Sequence, residues 1–199
     1  MVRRVLVIGG PGSGKTTLAA QLAADLGVDA VHLDRAIAHR PPSGGDATTP
    51  LRDGIRVPDE ERRAQATAAA ARPSWVAEGV YAGWTEPLRD AADLIVWLDL
   101  PGHVAALGVA QRQLGLLRTR SGDRYDVGGF VRLLRRAAWG YRRGPVATAA
   151  ALRARDGANS SATVEAFLAA SEAKVVRCRT RRDVARLRSE LVGDGSVRG

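Results

Sequence analysis

Gly9-Gly10-Pro11-Gly12-Ser13-Gly14-Lys15-Thr16 reads as a glycine, four residues and then Gly-Lys-Thr, the spacing of a loop that wraps phosphate. Ahead of it, Val5-Leu6-Val7-Ile8 is an unbroken apolar run with β-branching, which predicts a parallel strand buried on both faces. Behind it, Leu18, Leu22 and Leu26 recur every fourth residue up to Gly27, the stripe of an amphipathic helix with a glycine stop. The glycines let successive N–H groups turn inward and approach an anion that side chains would hold off. The helix starting near Lys15 adds its positive dipole end and free N–H groups. Lys15 can reach the outer phosphates as a point charge, and the Thr16 hydroxyl can ligate Mg²⁺. A tight turn without a ligand would also explain glycines, but not the lysine, since the chain has two lysines, Lys15 and Lys174, against 28 arginines. Nucleoside triphosphate binding is the expectation.

The 199 residues suggest one domain with room for a real core. An apolar fraction of 45% and a charged fraction of 26% are those of an ordinary globule. No apolar run approaches the roughly 20 residues that span a bilayer. A single cysteine, Cys178, cannot form an internal disulfide, so a cytoplasmic location is expected. The net charge of +9 and pI near 11.0 suit either nucleic acid or a polyphosphate ligand and do not choose between them.

Further strands are expected at residues 29–34, 74–79, 93–99 and 173–178. The first three close on Asp34, Glu78 (followed by Gly79) and Asp99. In open α/β sheets ligands sit beyond the carboxyl ends of the strands, so Asp34 is expected to face the site, with a helix cap as the plainer alternative. Glu78 could hold Mg²⁺ through water or orient the attacking group. Asp99, an acid after a long apolar run, competes with it for the metal role. His32 and His39 are expected to satisfy local hydrogen bonds, because no ligand cluster stands beside them at metal spacing. Tyr81 and Trp84 follow the third strand in a turn and could line an acceptor pocket or cap the core.

Residues 40–57, with three prolines and three glycines, read as a loop. A helix is expected from Pro58 to about Ala71, with Asp59, Glu60 and Glu61 in its first turn. Another is expected from His103 to about Leu117 on the pattern Val104, Leu107, Gln111, Leu114, with Arg112 on its polar face. Between Arg112 and Arg143 there are nine arginines against two acids, with five glycines interspersed. That composition suits a hinged lid at about 115–145 that closes over a triphosphate, with Phe130, Leu133, Leu134 and Trp139 packing beneath. Arg112, Arg118 and Arg120 are its candidate catalytic arginines, beside Lys15. Cys178 is expected to pack as a small apolar residue. Helices are expected over residues 164–170 and 182–191, before a polar tail at 193–199.

Five strands alternating with helices, the first feeding the phosphate loop, give a three-layer α/β fold of the P-loop kinase type spanning residues 1–192. At Trp75-Val76-Ala77-Glu78-Gly79-Val80-Tyr81 and Ala92-Asp93-Leu94-Ile95-Val96-Trp97-Leu98-Asp99-Leu100-Pro101 the chain resembles the adenylate-kinase-related DNA topology modulation proteins. His32-Leu33-Asp34, the single Arg-rich lid and the closing Val-Val-Arg strand resemble them too. The resemblance implies a five-stranded parallel sheet of order 2-3-1-4-5 and ATP with Mg²⁺ at Gly9, Gly10, Pro11, Gly12, Ser13, Gly14, Lys15, Thr16 and Thr17. It also implies that the acid closing the third strand lies beside the phosphates, which favours Glu78 over Asp99. That family usually carries Asp-Gly-Asn-Tyr where this chain has Glu78-Gly79-Val80-Tyr81.

The leading expectation is an ATP-dependent small-molecule kinase in which Thr16 and Glu78 organise Mg²⁺ while Asp34, Glu78 and Tyr81 meet the acceptor. The acceptor itself is left open. The rival is a nucleotide-binding regulator that works with DNA through its arginines, although no base-stacking pattern supports it and aromatics make up 5% of the chain. A GTPase switch lacks the Asn-Lys-X-Asp motif that reads guanine.

Overall fold

The computed structural model describes residues 2–43, 54–118, 126–154 and 159–196. Strand β1 (Arg4–Gly9) runs into the loop and helix α1 (Lys15–Leu26), followed by β2 (Ala30–His32) and a π-type turn (Asp34–Ala38). The short strands β3 (His39–Arg40) and β4 (Ile55–Arg56) precede α2 (Asp59–Ala70), β5 (Trp75–Gly79), α3 (Glu86–Ala91), β6 (Leu94–Leu98) and α4 (Gly102–Arg118). After α5 (Val127–Arg135) and a π-type turn (Arg136–Gly140) come α6 (Tyr141–Arg143), α7 (Ala149–Ala154), α8 (Ser161–Leu168), β7 (Val175–Cys178) and α9 (Arg181–Ser196).

The five longer strands form one parallel sheet in the order β2-β5-β1-β6-β7. Counted among sheet strands alone this is 2-3-1-4-5. Because a strand alternates its side chains, each apolar run feeds two cores at once. Val5 and Val7 of β1, Val76 of β5, and Val96 and Leu98 of β6 meet Leu18, Ala19 and Leu22 of α1 and Leu187 of α9 on one face. Leu6 and Ile8, Trp75 and Ala77, and Ile95 and Trp97 meet α2, α3 and α8 on the other, through Ala66, Leu88, Val164 and Phe167. Each such aliphatic side chain, fully buried, contributes about 1.5–3 kcal/mol. Cys178 joins the first core, fully buried among aliphatics, and burial pushes its thiol up to about 11.

Helix α1 enters from Gly14 at φ 89° and leaves through Gly27 at φ 65°, whose N–H bonds Ala23 and Ala24 carbonyls. No described helix is long and apolar enough to cross a membrane.

Several details differ from the sequence reading. The predicted loop at 40–57 contributes the two strands β3 and β4, which pair antiparallel, and residues 44–53 lie outside the described ones. Helix α3 was not anticipated: its six residues are too few for a 3.6-residue periodicity to register. Helix α9 runs to Ser196, so it takes in much of the predicted tail at 193–199.

The largest difference concerns α4. Leu107 and Leu114 are 52% and 55% exposed, while Ala105, Val109 and Gln113 are buried. A helix that rests on backbone presents small residues to it, so the leucine pattern points outward. Trp139, expected beneath the lid, is 57% exposed, whereas Phe130, Leu133 and Leu134 do pack on Ala105, Val109 and Ala137.

Candidate functional site

Strand parity decides where each carboxylate goes. On β5, Val76 faces α1, so Glu78, two residues on, faces the same way and reaches the first turn of that helix. Thr16 Oγ1 donates to Glu78 Oε1 at 3.1 Å. His32, paired in register with Glu78 across β2–β5, places Nδ1 3.1 Å from the same oxygen. Glu78 is 4% exposed. Asp99, the first residue beyond β6, has the parity of Ile95 and Trp97 and turns to the opposite face. There Arg177 donates Nε and Nη2 to its Oδ2 at 3.0 and 2.8 Å, Arg142 Nη1 reaches Oδ1 at 3.3 Å, and Ser161 Oγ donates to Oδ1 at 3.3 Å.

Asp99 is thereby committed to holding α6, α8 and β7 together. Arg142 also donates to the carbonyls of Asp99 and Leu100 at 3.2 and 3.1 Å. Replacing a 1% exposed carboxylate takes the anion from Arg142 and leaves Arg177 only its 2.8 Å pair with Glu165. Both keep access to water, so Asp99→Asn is expected to lower stability by about 1–3 kcal/mol, short of the loss from breaking a fully buried pair. Chemical denaturation should show that loss while nucleotide affinity stays unchanged.

A single cleft of about 780 Å³ joins the phosphate loop to these side chains. Residues 11–18 form its floor, Asp34 and Glu78 stand on one wall, and Gly108, Val109 and Arg112 of α4 form another. Lys15 Nζ rests 3.0 Å from the Gly10 carbonyl. Burial pulls its ammonium below the ordinary lysine value and Arg112 adds to the effect, while Glu78 and Asp34 oppose it. Two cations and two carboxylates therefore share one field.

The loop owes its shape to neighbours as well as to glycine. A Cβ on Gly12, where φ is 74°, would stand 2.0 Å from the Ala105 carbonyl oxygen of α4. One on Gly10 would meet the Tyr141 ring at 2.7 Å. Gly14, at φ 89°, has nothing within 4 Å of its Cβ position, which leaves the loop open there for a ligand.

The structure brings together Gly12, Ser13, Gly14, Lys15, Thr16, Thr17, Asp34, Glu78 and Arg112. Asp34 begins the turn after β2, and the phenol of Tyr81 donates a hydrogen bond to its Oδ1. Tyr81 itself is buried with its ring 4.8 Å from that of Trp84 and is not among the cleft-lining residues. It stands behind Asp34. Arg118 is exposed at the end of α4 and does not line the cleft either, and Arg120 lies outside the described residues. Gln21 of α1 and Arg181 and Val184 of α9 do line it. Gln21 follows Thr17 by one turn of α1, whereas nothing in the sequence pointed to Arg181 and Val184, which only the packing of α9 beside α1 brings there.

Hard oxygen donors at Thr16 and Glu78 fit Mg²⁺, which takes one or two protein oxygens and completes its shell with phosphates and water. No group of three or more His, Cys, Asp or Glu side chains that could hold a metal ion exists among the described residues.

A parallel sheet whose central strand feeds a glycine loop and Lys-Thr at a helix start defines a P-loop nucleotide-binding fold. Within that class the chain belongs to the AAA domain family, whose match covers residues 5–115. Among solved structures it is similar to a shikimate kinase from Acinetobacter baumannii in complex with shikimate, at 16% identity and TM-score 0.47, over 98% of this chain and 95% of that one. It is similar also to a gluconokinase from Sinorhizobium meliloti 1021, at 16% identity and TM-score 0.43, over 96% and 97%. A third is an unliganded sugar kinase from Janibacter sp. HTCC2649, at 22% identity and TM-score 0.38, over 69% and 92%. No curated protein matches the chain.

Proposed function

We propose that this protein is an ATP-dependent phosphotransferase that moves the γ-phosphoryl group of ATP to a small-molecule acceptor. The observation that supports it best is that one cleft contains the phosphate loop, an acid fit for Mg²⁺ and a second acid, Asp34. A protein that only bound nucleotide would have no need of the second acid.

In this reading the loop and the start of α1 hold the donor phosphates through N–H groups. Thr16 and Glu78 hold Mg²⁺, which when bound offsets phosphate charge. Lys15 and Arg112 stand where charge develops on the transferring group, their side chains already desolvated or held at the cleft wall. Asp34, braced by Tyr81, takes the proton from an acceptor hydroxyl as its oxygen forms the new bond to phosphorus and the bond to the ADP oxygen breaks. Arg118 and Arg120 would add charge as part of a lid over residues 115–145. The protein so described would act in the cytoplasm on ATP, with residues 1–192 as one kinase domain related to the adenylate kinases.

Release of ADP from ATP and Mg²⁺ across nucleoside monophosphates, nucleosides and small hydroxylated metabolites tests this. One acceptor should stimulate release, and Lys15→Ala should abolish it. Release indifferent to every acceptor but raised by DNA would overturn the proposal in favour of a nucleic-acid role. Asp34→Asn is expected to lower kcat about 10²-fold with the affinity for an ATP analogue unchanged, measured by steady-state kinetics and calorimetry.

A further inference from the structure

We infer that His32 is a positioning residue for the metal site: it fixes the Glu78 carboxylate so that one oxygen remains for Mg²⁺. This rests on the reading of Glu78 given above.

The residues themselves carry the case. A carboxylate that is 4% exposed needs partners, and the rotation of its terminal bond is soft. Both protein donors, Thr16 Oγ1 and His32 Nδ1, converge on Oε1 at 3.1 Å each. A carboxylate only accepts hydrogen bonds, so Nδ1 is the ring nitrogen that carries hydrogen here. With Oε1 occupied twice, Oε2 is the oxygen whose lone pairs are left for an ion. Thr16 gives its hydrogen to Glu78 and keeps its own lone pairs for the same ion. The brace is built into the sheet, because β2 and β5 set His32 directly opposite Glu78, on the face that α1 covers.

His32 is not simply a core histidine. Its side chain is 40% exposed on the edge strand, where a space-filling residue would have little to fill. Thr16 alone cannot do the same work, since it sits on α1 and fixes only one direction of approach. Outer partners of metal ligands typically change metal affinity or activity by 10- to 100-fold when removed, so the effect should be measurable without turnover.

The test compares His32→Asn, His32→Gln and His32→Leu with Glu78→Gln. Binding of a non-hydrolysable ATP analogue is followed by calorimetry over a series of Mg²⁺ concentrations, with thermal melting as a check on folding. Asparagine puts an N–H donor near the place of Nδ1, and glutamine puts it further out. His32→Gln and His32→Leu should raise the Mg²⁺ needed for half-maximal enhancement of binding about tenfold, His32→Asn by threefold or less, and metal-free binding should not change. If His32→Leu fails to fold, the asparagine and glutamine pair decides. Equal Mg²⁺ requirements in all three variants and the parent would overturn the inference, as would equal loss in all three, which would mark the ring as packing. Failure of Glu78→Gln to raise the Mg²⁺ requirement would instead remove Glu78 from the metal site, and the inference with it. A normal His32→Leu beside an impaired Glu78→Gln would sink the role of His32 alone.

Discussion

Lys15→Met is expected to reduce phosphoryl transfer by about 10³-fold, at the upper end of what removing one donor aimed at developing charge costs, while the apo protein stays folded and melts at the same temperature or higher. The two halves have one cause. Lys15 donates a hydrogen bond to the Gly10 carbonyl at 3.0 Å, and burial pulls its pKa down. The unfolded chain therefore binds a proton there more tightly than the folded one does. Stability contributed by this group is poorest below the lowered folded value and rises as pH climbs from there towards the ordinary lysine value of about 10.4. Methionine has similar length and no charge to desolvate, so it removes both the penalty and that pH slope. A donor polyphosphate would supply the missing anion and reverse the sign, making Lys15 favourable only in the bound state. Melting curves from pH 7 to 10 with and without an ATP analogue check this. A clear loss of stability in the apo variant would show that the lysine holds the loop together, contrary to expectation.

The loop, its strand and its helix were legible because their signals are local: a run, a glycine spacing and a four-residue period. Sheet order rested on resemblance, and the pairing of β2, β5, β1, β6 and β7 agrees with it. Which of Glu78 and Asp99 faces the phosphate loop was within reach of the sequence. Counting by twos from Val76 and from Trp97 puts the two acids on opposite faces, provided one knows which face α1 covers. Helix α4 was misread for a different reason. Hydrophobic periodicity finds the face that buries side chains, and α4 buries alanine and glycine against backbone instead. Arg181 and Val184 enter the cleft through the approach of α9 to α1, a contact between residues far apart in the chain. Tyr81 was recognisable as a residue near the site but not as the partner of Asp34, because the turn after β2 had first to bring that carboxylate back to β5.

Gly108→Ala is expected to weaken ATP-analogue binding at least about tenfold and to lower stability, although alanine is the better helix former by about 1 kcal/mol. The reason is contact between backbones. A Cβ on Gly108 would lie 2.2 Å from the Gly12 carbonyl oxygen, and one on Gly12 would lie 2.0 Å from the Ala105 carbonyl oxygen. Neither neighbour is the flexible end of a side chain, so α4 or the phosphate loop must move, and overpacking of this kind costs about 1–3 kcal/mol. Gly12→Ala adds a residue at φ 74° that only glycine adopts easily, and should be the more damaging of the two. Gly115→Ala supplies the comparison on the same helix. Its Cβ position meets no described residue within 4 Å, so the helix preference should stabilise the protein by roughly 0.5–1 kcal/mol with nucleotide binding unchanged. Denaturant melts and calorimetry on the three variants separate helix preference from contact. If Gly108→Ala instead behaved like Gly115→Ala, the phosphate loop would not depend on α4 for its shape. The expected difference would mean that the helix carrying Arg112 and leading into the arginine-rich segment rests directly on the loop that holds phosphate, so that movement of one is felt by the other.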